Sequence, residues 1–167
     1  DLVPGVLAGL AELAARQPED PVLGAASLVA TSVEARPESR NVIPDEVVVV
    51  VDWRVLPGST DESLLAAVEQ AILPQLHPVP EGMVTEVRMA REWQAAYTGH
   101  AENRDLFTPG FLMEADDPLV VAAAQAVGRR DGAGPATVRP WTFATDGGWS
   151  CGVHGVPTVG FAPGEER

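Results

Sequence analysis

The spacing of apolar residues predicts one helix and two strands over the first 55 residues. The predicted helix ends near Gln17-Pro18, and Pro4 lies at its start, where a missing N–H costs little. Residues 28–34 and 47–55 are rich in β-branched side chains and predict two strands; the second is apolar on both faces at first, which predicts a central strand. The helical prediction rests on apolar positions at Leu2, Val6, Leu7, Leu10, Leu13 and Ala14.

A second helix and a third strand follow. Ser59 and Glu62 are three residues apart, as in a capping box, and the helix they open should end near Pro74. From Met83 to Trp93 apolar and charged residues alternate, which predicts a half-buried strand. The order is then α-β-β-α-β. One strand ahead of the first helix would complete a ferredoxin-like α+β domain, so we expect that the first strand is missing and that the N-terminus is cut.

The remainder of the chain predicts a different kind of domain. Residues 95–115 form a long polar connection around Tyr97-Thr98-Gly99-His100, either functional or interdomain. Asp116-Asp117-Pro118 begins a third helix, and residues 137–143 and 157–161 predict two short buried strands. This tail is too small to own a core, so we expect the C-terminal piece of a larger α/β domain. The helix's predicted apolar face consists of Leu119, Ala122, Ala123, Ala126 and Val127.

The predicted domains are therefore residues 1–94, a connection at 95–115, and residues 116–167.

The composition limits the kinds of partner that the chain can bind. The net charge is −13, which argues against nucleic acid or an anionic membrane as the main partner. The single cysteine, Cys151, excludes an intrachain disulfide scaffold, and no apolar run approaches the 20 or so residues of a membrane helix. We expect a cytoplasmic protein.

The residues for metal or nucleophilic chemistry are sparse. His77, His100 and His154 belong to no metal-ligand spacing, so no metal site and no catalytic residue is predicted within the chain. Gly148-Trp149-Ser150-Cys151-Gly152 fits the nucleophile-elbow pattern G-x-S-x-G. However, the residues that follow form a poor helix, and no acid lies between Ser150 and His154. A serine hydrolase therefore stays a distant alternative.

Three features suit an anionic ligand. Arg54 ends an apolar strand beside Asp52, and a guanidinium matches a carboxylate; the alternative is an ion pair on a strand surface. Arg91 is a second candidate, or else a solvated strand position. In the turn from Thr145 to Gly148, backbone N–H groups could face a ligand oxygen, or the turn could be purely structural.

Two groups of motifs resemble one enzyme family. They are Asn41-Val42-Ile43-Pro44 with Asp52-Trp53-Arg54, and Asp146-Gly147-Gly148 with Gly155-Val156-Pro157-Thr158 and Pro163-Gly164. They resemble the lid, or dimerisation, domain and the end of the catalytic domain of the metal-dependent amidohydrolases that include acetylornithine deacetylase, succinyl-diaminopimelate desuccinylase and carboxypeptidase G. Tyr97-Thr98-Gly99 and Phe107-Thr108-Pro109 are similar to a branch of predicted hydrolases linked to purine and selenium metabolism.

The resemblance implies a zinc-dependent hydrolase that cleaves the amide bond of an N-acyl amino acid or small peptide. The zinc ligands and the general base would lie outside this chain, which alone should be inactive. It also implies a homodimer and a substrate with a carboxylate. Its expected substrate-binding residues are Asn41, Arg54, Arg91, Thr145, Asp146 and Gly147. A non-catalytic dimerisation module is the alternative reading.

Overall fold

The computed structural model describes residues 2–35, 37, 39, 41–131, 134–141 and 143–161. The chain divides into two compact units, one of Asp1–Val55 with Thr60–Phe107 and the other of Leu56–Ser59 with Thr108–Arg167. The first contains α1 (Val3–Ala14), β1 (Glu19–Asp20), β2 (Gly24–Ala25), β3 (Ser27–Ala35), β4 (Val47–Arg54), α2 (Asp61–Ile72), a 3₁₀ turn (Leu73–Leu76), β5 (Arg91–Ala95) and β6 (Ala101–Asp105). The second contains α3 (Pro118–Asp131) and a π-helical turn (Gly148–Val153). Together these elements form an α+β protein.

The core of the first unit lies between two helices and a hairpin. Leu10 of α1, Leu28 of β3 and Ile72 of α2 are its buried centre. β3 and β4 pair antiparallel, with a bulge between Ala30 and Ser32. Half-buried apolar side chains from α1, β4, α2 and the segment before β5 surround this centre: Val6, Leu13, Ala14, Val49, Val51, Trp53, Val68 and Val87.

Two glycines of α1 allow a close approach, Gly9 to the end of α2 and Gly5 to the 3₁₀ turn that follows it. A Cβ built on Gly9 would lie 2.3 Å from the carbonyl oxygen of Ala71, and one on Gly5 would lie 2.9 Å from that of Gln75. The two helices therefore approach through bare backbone, and Gly9 is buried. At the end of α1, Gln17 accepts a 2.7 Å hydrogen bond from the indole Nε1 of Trp53, which joins the helix to β4.

The capping box of α2 lies one residue later than predicted. Thr60, not Ser59, is the N-cap residue: its hydroxyl accepts a hydrogen bond from the Ser63 N–H, and the Ser63 hydroxyl accepts one from the Thr60 N–H. Thr60 has extended backbone angles and Asp61 begins the helix, so the reciprocal bonds fall on Thr60 and Ser63. Ser63, at the third helical position, therefore has the role that was predicted for Glu62.

The predicted third strand was placed too early. Residues 83–90 form no ladder within the described part of the chain, although Met83, Val87 and Met89 are half-buried as the alternation predicted. The strand is Arg91–Ala95, and it pairs with Ala101–Asp105 across a tight loop. The connection assigned to residues 95–115 therefore contains a strand of its own.

Other predicted features of the strands also differ. The central position predicted for β4 is not met, because within the described residues β4 pairs with β3 alone. β1 and β2 were missed; Asp20 Oδ1 accepts hydrogen bonds from the Val22 and Leu23 N–H groups and closes the turn between them. These two N–H groups, that of Leu23 first, lower the pKa of the Asp20 carboxyl.

In the second unit, the buried side of α3 differs from the predicted apolar face. Val120 and Gly128 are its buried residues, while Leu119 is exposed, as are Ala122 and Ala126. The returning segment 134–136 covers the helix on this side, since the Ala136 N–H donates to the Ala124 carbonyl. The strands predicted at 137–143 and 157–161 are absent from the described residues of those ranges, which join no sheet. Trp141 and Phe143 are exposed there, and no strand among the described residues covers their side chains.

Candidate functional site

Arg54 lies at the end of β4 in an ion pair with its near neighbour. Its Nε is 3.0 Å from Asp52 Oδ1, and both side chains are more than half exposed, at 58% and 52%. The two residues share one face of β4, because they are two positions apart. The half-buried side chains of Val51 and Trp53 take the opposite face, toward the helices. The pair therefore lies on the side of the hairpin that faces away from α1.

Asn41 lies in the loop at the other end of the same hairpin. The Ser39 hydroxyl donates to Asn41 Oδ1, and the Val42 N–H donates to the Ser39 carbonyl, which shapes a turn. Because β4 separates this loop from Arg54, the length of the strand, roughly 23 Å at about 3.3 Å per residue, lies between them. Within one chain the structure does not bring these two predicted site residues together.

Arg91 supports the β5–β6 hairpin. Its Nε lies 2.8 Å from Asp105 Oδ1 on the opposite strand, and its Nη2 donates to the Asn103 carbonyl at 3.0 Å. All five residues of β5 are exposed, so this hairpin gains little from burial and depends on such cross-strand contacts. Sequence reasoning missed the partner strand; the positive-φ Gly99 between alternating charged positions was the available signal.

The turn at Thr145-Asp146-Gly147 opens the π-helical segment. The Gly147 N–H bonds to Thr145 Oγ1 at 3.3 Å, and the Gly148 N–H bonds to the Thr145 carbonyl at 3.0 Å. Both amides that were candidates for a ligand oxygen therefore have acceptors within the turn. Asp146 is exposed, and its carbonyl accepts from the N–H groups of Trp149 and Ser150.

The glycines of this segment serve close packing against the chain at 108–111. A Cβ on Gly147 would lie 2.4 Å from the Phe111 ring, and one on Gly148 would lie 1.9 Å from the Pro109 carbonyl oxygen. A side chain at either position would displace that segment. Their small size therefore has a structural explanation within the second unit.

Ser150 is held by partners that do not activate a nucleophile. Its hydroxyl donates to the Asp146 carbonyl at 3.2 Å and lies 2.8 Å from the Thr158 hydroxyl. Neither group is a base that could accept the serine proton, as an imidazole does in a catalytic triad. Cys151 lies half-buried, with Sγ 3.4 Å from Met113 Sδ. This arrangement does not favour the serine hydrolase alternative.

The described residues do not fit a zinc ion. No group of three or more His, Cys, Asp or Glu side chains converges among them. His100 contacts Glu102 at 3.8 Å, which makes a pair rather than a ligand set. In the part of the chain that the structure describes, no helix combines the length and apolar character needed to cross a membrane.

The predicted site residues thus fall into two groups. Asn41, Arg54 and Arg91 lie on three separate segments of the first unit, and Thr145, Asp146 and Gly147 adjoin one another in the second. Among the predicted site residues, Arg54 is the one whose exposed pair with Asp52 could exchange a partner for an anionic ligand. Exposed pairs contribute only about 0–1 kcal/mol, so a carboxylate can replace Asp52 at low cost.

Comparison with known proteins adds a family. The family model described as the peptidase dimerisation domain matches residues 7–79. This range covers most of α1, all of β1 to β4 and α2, and the 3₁₀ turn after it. The match confirms the resemblance drawn from the motifs around Asn41 and Arg54.

Two curated relatives match nearly the whole chain. Both are named uncharacterized protein YgeY, from Escherichia coli strain K12 and from Escherichia coli O157:H7, and each is 29% identical over 161 residues. The alignment covers 96% of this chain and 38% of each relative, so the chain spans well under half of their length. No solved structure matches the chain.

Proposed function

Because the peptidase dimerisation domain model matches residues 7–79, we propose that this chain is the lid and C-terminal part of a zinc-dependent hydrolase. The complete enzyme would cleave the amide bond of an N-acyl amino acid or a small peptide. The first unit would be a ferredoxin-like lid, and the second the end of an α/β catalytic domain. The family match to this unit is the observation that carries the proposal. Zinc and its ligands would belong to residues outside those described.

Arg54 is the residue proposed to bind the substrate's carboxylate. Its guanidinium is exposed on the hairpin face opposite to Val51 and Trp53, and its ion-pair partner Asp52 is exposed too. Arg91 fits the role less well, since Asp105 and the Asn103 carbonyl already occupy its guanidinium. Asn41 and the turn of Thr145 to Gly147 stay proposed substrate contacts.

A homodimer is the proposed assembly, and the loop end of the β3–β4 hairpin is its proposed contact surface. Ile43 is 90% exposed, and Val33, Val47 and Val48 are also exposed at this end. Isolated apolar residues on a surface are ordinary, but four at one end of a hairpin suit burial against a second copy. Asn41 lies in the same loop, so dimer formation would also order a proposed site residue.

Hydrolysis by the complete protein tests the catalytic proposal. A panel of N-acyl amino acids is incubated with the zinc-loaded protein, and the released amine is measured with fluorescamine, with and without a chelator. We expect metal-dependent release by the complete protein and none by residues 1–167 alone. If a protein shown to hold zinc released no amine from any of these substrates, the hydrolase proposal would be overturned.

A matched pair of variants tests Arg54. Arg88 forms the same kind of exposed pair, with its Nε 3.5 Å from Glu86 Oε1 two positions away. Arg54→Ala should raise KM at least tenfold with little change in kcat, because a ground-state carboxylate contact is lost. Arg88→Ala should leave KM unchanged. Equal effects of the two substitutions would refute the assignment.

The non-catalytic dimerisation module is the second candidate, favoured by the family description and by the exposed apolar hairpin end. Light scattering on the protein and on Ile43→Asp tests this surface, and Val84→Asp is the control because Val84 is 89% exposed outside it. Loss of the dimer in Ile43→Asp alone supports the surface. A stable dimer that holds zinc but hydrolyses no N-acyl amino acid would favour the module.

A further inference from the structure

The outer edge of β6 carries backbone groups that no strand among the described residues uses. Two hydrogen bonds frame the β5–β6 ladder: the Ala96 N–H donates to the His100 carbonyl at 2.8 Å, and the Leu106 N–H donates to the Ala90 carbonyl at 2.7 Å. In an antiparallel ladder, hydrogen-bonded pairs alternate with pairs whose backbone groups point outward. The register therefore directs the backbone groups of every second residue of β6, beginning with Ala101, away from β5.

Both faces of this hairpin are exposed as well. All five residues of β5 are exposed, and in β6 only Ala101 is half-buried. A two-stranded hairpin without a buried face is marginally stable in water, and an open strand edge is a template for pairing with another chain. β6 lies outside residues 7–79, which the dimerisation-domain model matches. A strand added to β6 would therefore be a contact separate from those of the matched domain.

The charges of β6 complement a second copy of β6 in one antiparallel register. Glu102 and Arg104 lie on the same face of the strand, on either side of Asn103, and form an exposed ion pair at 3.3 Å. When Asn103 meets Asn103 of a second copy, Glu102 lies opposite the second copy's Arg104, and Arg104 lies opposite its Glu102. These are non-hydrogen-bonded pairs, in which side chains approach most closely and opposite charges stabilise the sheet.

The neighbouring arrangements bring like charges together. An antiparallel register centred on Glu102 sets two carboxylates opposite each other, and one centred on Arg104 does the same with two guanidinium groups. Parallel pairing in register does both. Like charges directly opposite are destabilising in a sheet, and charged edges normally prevent pairing for this reason. The sequence of β6 therefore favours a second copy in the register centred on Asn103.

From the outward backbone groups, the exposed hairpin and the self-complementary charges, we propose that β6 pairs with β6 of a second copy. The two hairpins would join into one four-stranded antiparallel sheet about a two-fold axis at Asn103. The Asn103 carbonyl accepts a hydrogen bond from Arg91 Nη2, and its second lone pair is available to the new ladder. Ala101 would pair with Asp105 of the second copy through their outward backbone groups.

The contact should be weak by itself, because the paired edge is short and each chain has a net charge of −13. It differs from the proposed contact at the loop end of the β3–β4 hairpin. Two different two-fold contacts on one chain join dimers into tetramers, so pairing at β6 would act between dimers. Only this last point rests on the proposed dimer; the pairing of β6 does not.

Charge reversal in the complete protein tests the register, in an Ile43→Asp background that removes the other proposed contact. Self-association is measured by sedimentation velocity over a concentration series. Glu102→Arg and Arg104→Glu should each weaken it about tenfold, because like charges then lie opposite each other. The double variant exchanges the two charges, keeps the net charge and should restore association. No self-association of the unmodified edge at millimolar concentration, or no restoration in the double variant, would overturn the pairing.

Mixing the two single variants gives a second test, with circular dichroism to check that each is folded. Glu102→Arg has two cationic residues on the edge and Arg104→Glu has two anionic ones. Each should bind the other about tenfold more tightly than it binds itself, measured with a fluorescent label on one of them. Glu86→Arg and Arg88→Glu are the matched controls, since they change the net charge equally in another exposed pair. Equal mixing in the control pair, or no preference in the β6 pair, would contradict the register.

Amide hydrogen exchange locates the contact in the complete protein. The N–H groups of Ala101, Asn103 and Asp105 should exchange more slowly as the protein associates, whereas those of Glu102 and Arg104 face β5 and should change less. Fast exchange at the first three positions in the associated protein would overturn the pairing. Slow exchange there in the monomer would overturn a second copy as the occupant and assign the edge to another segment of the protein. None of these measurements uses catalysis, so an inactive protein leaves them unaffected.

Discussion

Replacing Gly9 with alanine tests the contact on which the helix layer depends. The new Cβ would lie 2.3 Å from the Ala71 carbonyl oxygen, 3.0 Å from the Ala71 carbonyl carbon and 3.3 Å from the Ile72 Cα. All three are backbone atoms and cannot rotate away. To restore an ordinary contact of 3.4 Å, the helices must separate by about 1.1 Å at this point. That movement loosens Leu10 against Ile72, two of the three residues that form the buried centre of the first unit.

The expected magnitude follows from two opposed terms. Overpacking a close contact costs about 1–3 kcal/mol, and collision with a carbonyl oxygen belongs at the upper end. Alanine is better than glycine within a helix by about 1 kcal/mol. The net loss in free energy of unfolding should therefore be about 2 kcal/mol. For a chain of this size that corresponds to roughly 4–8 °C in Tm.

Urea unfolding followed by far-ultraviolet circular dichroism measures this loss. Gly5→Ala should cost less, because its Cβ would lie 2.9 Å from the Gln75 carbonyl oxygen. Ala8→Gly, at an exposed position of the same helix, should lose only the propensity term of about 1 kcal/mol. If Gly9→Ala proved as stable as the unmodified protein, the close approach of α1 and α2 would be refuted.

Three further predictions concern single contacts. Gln17→Ala should lower the free energy of unfolding by about 1 kcal/mol and alter tryptophan fluorescence, because the Trp53 N–H loses its acceptor. The control Gln94→Ala, on the exposed strand β5, should change neither quantity. Gly148→Ala should destabilise the second unit by at least 2 kcal/mol in thermal unfolding, since its Cβ would lie 1.9 Å from a carbonyl oxygen; an unchanged Tm contradicts this packing. The Leu23 and Val22 N–H groups lower the pKa of the Asp20 carboxyl, so its contribution to folding stability should be complete above the ordinary aspartate pKa and lost as pH falls through the lowered pKa. An NMR titration midpoint at or above the ordinary aspartate value would contradict the turn.

Up to residue 72 the sequence by itself determined the two helices and the two long strands, although it missed the short strands β1 and β2. α1, β3, β4 and α2 lie where apolar spacing placed them, because periods of 3.6 and 2 are local and each element buries one side. The motifs around Asn41 and Arg54 also indicated the resemblance that the dimerisation-domain model, matching residues 7–79, confirms. Local signals were less exact where two neighbouring residues could serve as the N-cap. The capping box predicted at Ser59 and Glu62 is formed by Thr60 and Ser63.

Only the tertiary structure decided which groups meet across the chain. The guanidinium of Arg91 is occupied because a strand ten residues later brings Asp105 to it. The buried side of α3 is set by the returning segment at 134–136, not by the most apolar stripe. That β4 pairs with β3 alone among the described residues is likewise not visible in its own valines. In each case the contact joins two separate segments of the chain. A local pattern shows that an element must pack against another element, but it does not show which one.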